Sequence, residues 1–195
     1  MISEQITGPL GELTPAQRHR VVVETFAEQI AAVEDWNGPT PVAEWTARDV
    51  VGHLLEWFPG FLAGGGVELP PTPSVDDDPA YAWSQRCAAV QDLLDGPSAD
   101  DTFAHPMIGE FRLADAIDRF YTADVFMHTW DLGIATGTTP ALDPAYAAQL
   151  VDGMSGMEEI LRSSGQYGPA VPVPDDADPV TRLAGFIGRD PTWRP

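Results

Sequence analysis

The 195-residue chain reads as an all-α bundle on three observations. Capping residues mark helix starts at Thr14, Thr46, Asp78 and Asp143. Behind them, apolar residues recur every three or four positions over long stretches. No internal repeat and no parallel-strand pattern interrupts these stretches, so helices must bury their apolar faces against other helices. The length suits one domain, 1–195, with an extended tail over 166–195.

In the first helix, Thr14 is the N-cap, Pro15 occupies the first turn and Gln17 is the capping-box partner. Val22, Phe26, Ile30 and Val33 follow at helical spacing, which predicts a helix from about 15 to 36, closed by Gly38 and the prolines around it. Thr46 and Asp49 open a second helix, with Trp45 and Val50 placed as a hydrophobic staple. It runs to about 62, and Pro59 bends its last turn. The stretch "GGGVELPPTPSVDDDP" is a loop. Asp78 and Pro79 then start a third helix over roughly 79–95, stopped by Gly96 and Pro97. Residues 98–111 fit either a short extended segment or a β-turn pair. A fourth helix spans about 113–136 and ends at Gly137, and a fifth runs from Pro144 to about 163. The tail is extended and proline-rich, then forms a short helix from Pro179.

Composition narrows the function classes. The formal charge is −20, from thirty acids against ten arginines, which disfavours nucleic-acid and anionic-membrane binding and serves solubility. There is no lysine, which excludes Schiff-base chemistry and a P-loop lysine. Cys87 is the sole cysteine, so no internal disulfide forms, and it sits in an apolar helical run as core. No run of 18 apolar residues exists, and the acidic "MISEQITGPLGELTP" has no basic-then-apolar leader, so a cytoplasmic protein is expected. "GMSGM" (153–157) lies within a helix rather than on a nucleophile elbow, and no G-x-G-x-x-G follows a strand.

The fourth helix carries the chemistry. At 100° per residue, positions 113, 117, 120, 124, 128 and 131 fall within about 80° of one another. Leu113, Ile117 and Phe120 thus share a stripe with Asp124, His128 and Asp131. Buried carboxylates cost several kcal/mol unless paired or bound to a cation. The alternative is a stripe that drifts to solvent, but Val125, Met127, Trp130, Leu132 and Ile134 leave no clearly solvated face. Asp124 and His128, four apart, project side by side, as two helical ligands of one metal ion must. A third ligand has to come from another element. His53, on the shoulder of the second helix's apolar face, is the candidate by the absence of rivals. His19, between Arg18 and Arg20, is expected to be exposed, and His105 precedes Pro106 in the ambiguous loop.

"TPVAEWTARDVVGHLLE" (40–56) and "DVFMHTWDLGIATG" (124–137) resemble the N-terminal metal-binding domain of mycothiol-dependent maleylpyruvate isomerase, a member of the DinB-like four-helix bundles. The closing "YGPAVPVPDDADPVTRLAGFIGRDP" is similar to the tail of a related actinobacterial branch of metal-binding proteins. The resemblance implies a DinB-like four-helix bundle with an extra C-terminal segment. It also implies a site of His53 and His128 with Asp124 in the place of a glutamate. The aspartate is one methylene shorter, so a metal would sit closer to the helix. Two histidines and a carboxylate suit zinc first, and also nickel, iron or manganese. Three protein ligands leave a position open for water or for a thiol such as mycothiol. Asp131 and Glu56 are expected to support the ligands, and Trp57 and Trp130 to wall the pocket.

These readings imply a metal-dependent, thiol-using transferase or isomerase-like enzyme acting on a small molecule. The isomerase's further C-terminal domain has no visible match here, so its own reaction does not transfer. The alternative is a non-catalytic metal or small-molecule binder of the same fold, and a third class is a protein-interaction bundle without a metal. Related bundles often form homodimers.

Overall fold

The computed structural model describes residues 8–163 and 167–195. Residues 1–7, part of the N-terminal stretch quoted above, and residue 166, the start of the expected tail, lie outside the described residues.

The bundle is built from α1 (Pro15–Ala31), α2 (Ala47–Gly64), α3 (Pro79–Asp95) and a composite fourth helix. That fourth helix runs as α4 (Leu113–Ala116), a π-helical segment (Ile117–Thr122) and α5 (Ala123–Ala135). A hairpin of β1 (Thr102–His105) and β2 (Gly109–Arg112) precedes it, and α6 (Pro144–Met154), α7 (Glu158–Ser163) and α8 (Pro179–Phe186) follow it. The helices form a ring in which α1 touches α3 and α5, and α2 touches the same two. Phe26, Leu54, Phe58, Leu62, Ile117, Tyr121 and Leu132 fill the centre and are fully buried. α6 packs on α8, and α8 also reaches α5. This outer layer explains why α5 lacks a wet face: Phe126, Met127, Trp130 and Leu132 are all buried. Among the described residues, no helix is long and apolar enough to cross a membrane.

Local chemistry sets the helix starts. Thr14 with Gln17 and Thr46 with Asp49 both close complete capping boxes. The Asp78, Asp143 and Asp178 side chains accept from first-turn amides, each ahead of a proline that has no amide hydrogen to satisfy. The ends depart from expectation in two places. α1 stops at Ala31 rather than near 36, because Asp35 turns to accept from the Asn37 amide and offers the backbone a non-helical alternative. The expected fifth helix divides into α6 and α7 at Gly156, whose φ of 87° no helix contains. The ambiguous 98–111 stretch contains the hairpin except for its last residue, Arg112, with Phe103 opposite Phe111 and His105 opposite Gly109.

The hairpin explains the glycine run after α2. A Cβ on Gly65 would stand 2.1 Å from Phe103 Cε2, so strand β1 lies flat on the helix end only because that Cβ is missing. Gly65→Ala is expected to cost about 2 kcal/mol through overpacking, read as a lower urea midpoint. An unchanged midpoint would show that the hairpin shifts freely.

His19 corrects the expectation of an exposed residue. It is fully buried, with Nδ1–H donated to Gln91 Oε1 at 2.8 Å. Arg18 and Arg20 flank it, but His19, Val22, Phe26 and Ile30 share one helical stripe, and that stripe faces the core. Burial drives the His19 pKa down from 6.5 to about 4, against the pull of the Gln91 hydrogen bond. Between those values the unfolded chain binds a proton that the folded chain refuses. Stability therefore falls as pH drops from 6.5 to 4, by about 3 kcal/mol in full. The His19→Gln variant should lack this component. Urea unfolding at pH 7 and pH 4 is expected to show the wild type losing about 3 kcal/mol more than the variant, and parallel losses would refute the assignment.

Candidate metal centre

α2 and α5 are neighbours in the ring, and they bring His53, Asp124 and His128 together. One ligand atom from each lies within 4.8 Å of the others. His53 Nε2 is 3.2 Å from Asp124 Oδ2, and His128 Nε2 is 3.6 Å from Asp124 Oδ1. Ligand atoms about 2.1 Å from a tetrahedral ion stand roughly 3.4 Å apart. Both histidines therefore already stand near that spacing from the Asp124 carboxylate, and all three donors lie within 4.8 Å of one another. Without an ion, the 3.2 Å contact serves as a hydrogen bond from His53 to the carboxylate.

The helix wheel needs one correction, and it sharpens the site. The π-helical segment inserts an extra residue just before Asp124. The core stripe passes from Ile117 to Tyr121, not to the half-buried Phe120, and continues through Val125 and Leu132. Asp124, His128 and Asp131 run along the shoulder of that stripe, and the first two meet His53 of α2. Such insertions recur at functional sites because they re-aim side chains without ending the helix.

The supporting groups are firmly held. Trp57 donates its indole N–H to Asp124 Oδ2 at 3.0 Å. His128 Nδ1–H is donated to Asp131 Oδ2 at 2.9 Å, which fixes the tautomer and leaves Nε2 free to ligate. Asp131 is 0% exposed and also accepts two bonds from Arg189, from Nε at 2.8 Å and from Nη2 at 3.1 Å. Burial is the largest influence on both carboxyls and opposes their ionisation. For Asp124, His128, His53 and Trp57 outweigh it. For Asp131, the His128 hydrogen bond and the Arg189 charge do so. Both groups are held below the usual carboxylate range, as anions ready to serve a cation or an imidazole.

Three residues beside the site lie within the quoted stretches, but nothing in their spacing assigned them to it. Trp45, read from sequence as part of a staple, stacks on His128 with ring centroids 5.8 Å apart and lies 5.0 Å from the His53 ring. Its position is set by a tight loop in which Thr40 donates to its carbonyl and Glu44 adopts a left-handed φ of 67°. Arg189 comes from the tail, 58 residues beyond its partner Asp131. Tyr167, also in the tail, lies close enough for Asp124 and Arg189 to act on its phenol; burial chiefly, helped by Asp124, pushes that phenol well above its usual value.

Other expected residues lie elsewhere. Glu56 is exposed, and no hydrogen bond or ion pair joins it to the cluster, because its position on α2 turns it outward past Gly52. Trp130, two residues beyond His128, turns to the far side of α5 and borders Val180, Leu183 and Ile187. The walls against the histidines are Trp45 and Trp57. His105 stacks on Phe61 in the hairpin, and Cys87 is half-buried with its thiol pKa pushed up by burial. A cavity of about 290 Å³ lies between α1 and α5, beside Val22, Phe126 and Leu142. None of the three candidate ligands lines it.

Comparison with known proteins places the chain in a family. The profile of the mycothiol maleylpyruvate isomerase N-terminal domain matches residues 19–119. The chain belongs to that family. The matched span contains His53 and ends before Asp124 and His128. Two uncharacterised proteins of Mycobacterium tuberculosis, from different strains, are each 30% identical over 191 residues, covering 91% of this chain and 98% of the relative. That likeness runs past the matched domain and into the tail. No solved structure matches the chain. The helical bundle seen here agrees with the DinB-like architecture of the family.

Proposed function

We propose that the chain is a divalent-metal protein of the mycothiol-dependent type, a thiol transferase or isomerase-like enzyme acting on a small electrophilic molecule. The supporting observation is the convergence of His53, Asp124 and His128 from two helices, with ligand atoms within 4.8 Å. Zinc suits this set first, and nickel, iron or manganese also fit its nitrogen and oxygen donors. A divalent ion held there lowers the pKa of a coordinated thiol, such as that of mycothiol, toward neutrality. The chain's own residues do the rest. Trp57 and His53 orient the Asp124 carboxylate, and Asp131 holds His128 in the ligating tautomer. Trp45 and Trp57 offer flat apolar faces that exclude water from one side of the site. His53 is the most open of the three, with its side chain 31% exposed, so a small molecule reaches the site along α2.

The short aspartate favours one second reading, a non-catalytic metal or small-molecule binder of the same fold. The experiment that separates them loads the purified, untagged protein with zinc, nickel, iron(II) or manganese(II) in turn and incubates it with mycothiol and a panel of electrophiles. Adduct or isomer formed with any metal supports the enzyme. Tight metal binding with no turnover on any combination supports the binder. A protein that takes up no metal refutes the enzyme and the metal binder alike.

A further inference from the structure

The C-terminal segment ends in a helix stop that has a second use. α8 closes with a complete Schellman motif. The Gly188 amide donates to Gly185 carbonyl at 3.1 Å, and the Arg189 amide to Ala184 carbonyl at 2.9 Å. Gly188 carries the left-handed φ of 88° that this motif requires. A Cβ on Gly188 would also stand 2.7 Å from the Gly168 Cα, so a side chain there would prevent the two tail segments from crossing. Arg162 donates to the Gly168 and Phe186 carbonyls and ties the crossing together. The backbone of Arg189 is thereby fixed from both sides. Its side chain is nearly buried, donates to Ile187 carbonyl at 3.1 Å and grips Asp131 with two nitrogens.

We propose that Arg189 is a positioning residue of the metal centre. This rests on the metal-site reading above. The guanidinium fork leaves the Asp131 carboxylate one orientation, and in that orientation Oδ2 receives the His128 Nδ1–H. Nε2 of His128 is then presented to the ion as a correctly aimed donor. The tail and the metal site form one linked unit: an ion that prefers the aimed imidazole also stabilises the closed tail, and by the same amount the closed tail strengthens ion binding. No other cation within reach of Asp131 does this work among the described residues, because His128 and Arg189 are the partners it has.

Cobalt(II) is the probe, since its ligand-field spectrum reports coordination geometry directly. Cobalt affinity, the bound spectrum and amide exchange over 183–189 are measured on the full chain and on H128A, R189M and R189K. The wild type is expected to show slowed exchange over 183–189 when cobalt binds. R189M is expected to bind 10- to 100-fold more weakly, the range typical for lost supporting partners, with an altered spectrum and no metal-dependent slowing. R189K, which offers one donor in place of a fork, should fall between. Wild-type affinity, a wild-type spectrum or undiminished metal-linked protection in R189M overturns the proposal while H128A still loses metal. Full cobalt binding by H128A overturns the metal site itself. Should R189M fail to fold, R189K carries the test: wild-type affinity, spectrum and metal-linked protection in R189K overturn the proposal, and a weakened, spectrally altered site supports it.

Discussion

Replacing His128 with alanine is expected to abolish stoichiometric metal binding while leaving the bundle folded. His128 supplies one of three ligands, and the remaining pair, His53 and Asp124, is a hydrogen-bonded couple at 3.2 Å that has no need of an ion. The His128 side chain is 5% exposed, so the substitution also leaves a small cavity and removes the hydrogen-bond donor to Asp131. Arg189 still pairs with that carboxylate, so the fold survives. The largest signal is linkage. An ion at a thousand times its dissociation constant stabilises the native state by about 4 kcal/mol. For a domain of this length that corresponds to a rise in Tm of roughly 10 °C. Zinc added to the metal-stripped wild type should produce that rise and a one-to-one metal content by elemental analysis. The variant should show neither. Metal content near one per chain in the variant would remove His128 from the site.

Much of this was legible in the sequence, for reasons that are local. The capping boxes at Thr14 and Thr46 depend on residues three apart, so their geometry is written in the chain. Asp124 and His128 are likewise four apart on one helix, and their pairing follows from helical geometry alone. His53 came from elimination among four histidines, and the resemblance to the isomerase domain agreed. What the sequence hides is what depends on distant partners or on a fault in regular geometry. The π insertion at 117–122 shifts the buried stripe from Phe120 to Tyr121, and no residue there announces it. Arg189 meets Asp131 only after the tail folds back over α5. His19 shows a readable signal that its charged neighbours obscured: it lies on the stripe of Val22, Phe26 and Ile30. Trp130 and Glu56 show the converse. Both are near the ligands in sequence, and a single helical turn points them away from the site.

The pair of Asp131 and Arg189 gives the largest expected loss of stability in the metal-free protein. Asp131 is fully buried and Arg189 is 8% exposed; Asp131 is offset by the His128 hydrogen bond and the Arg189 charge, and the Arg189 guanidinium is paired with Asp131. Removing one partner of a buried pair costs about 3–5 kcal/mol, since the survivor is left without solvent or counterion. Asp131→Leu should therefore lose about 4 kcal/mol in urea unfolding with chelator present, and Arg189→Met a comparable amount. The double variant removes both charges and leaves two apolar side chains of similar size against α8. It should recover to within about 2 kcal/mol of the wild type, a coupling far from additive. The excess that remains measures two lost acceptors and donors: the His128 Nδ1–H, which loses Asp131, and the Ile187 carbonyl, which loses Arg189. Additive losses approaching about 8 kcal/mol would mean that the two charges are compensated separately. The tail would then be held by its backbone crossing at Gly168 and Gly188 rather than by the ion pair that joins it to α5.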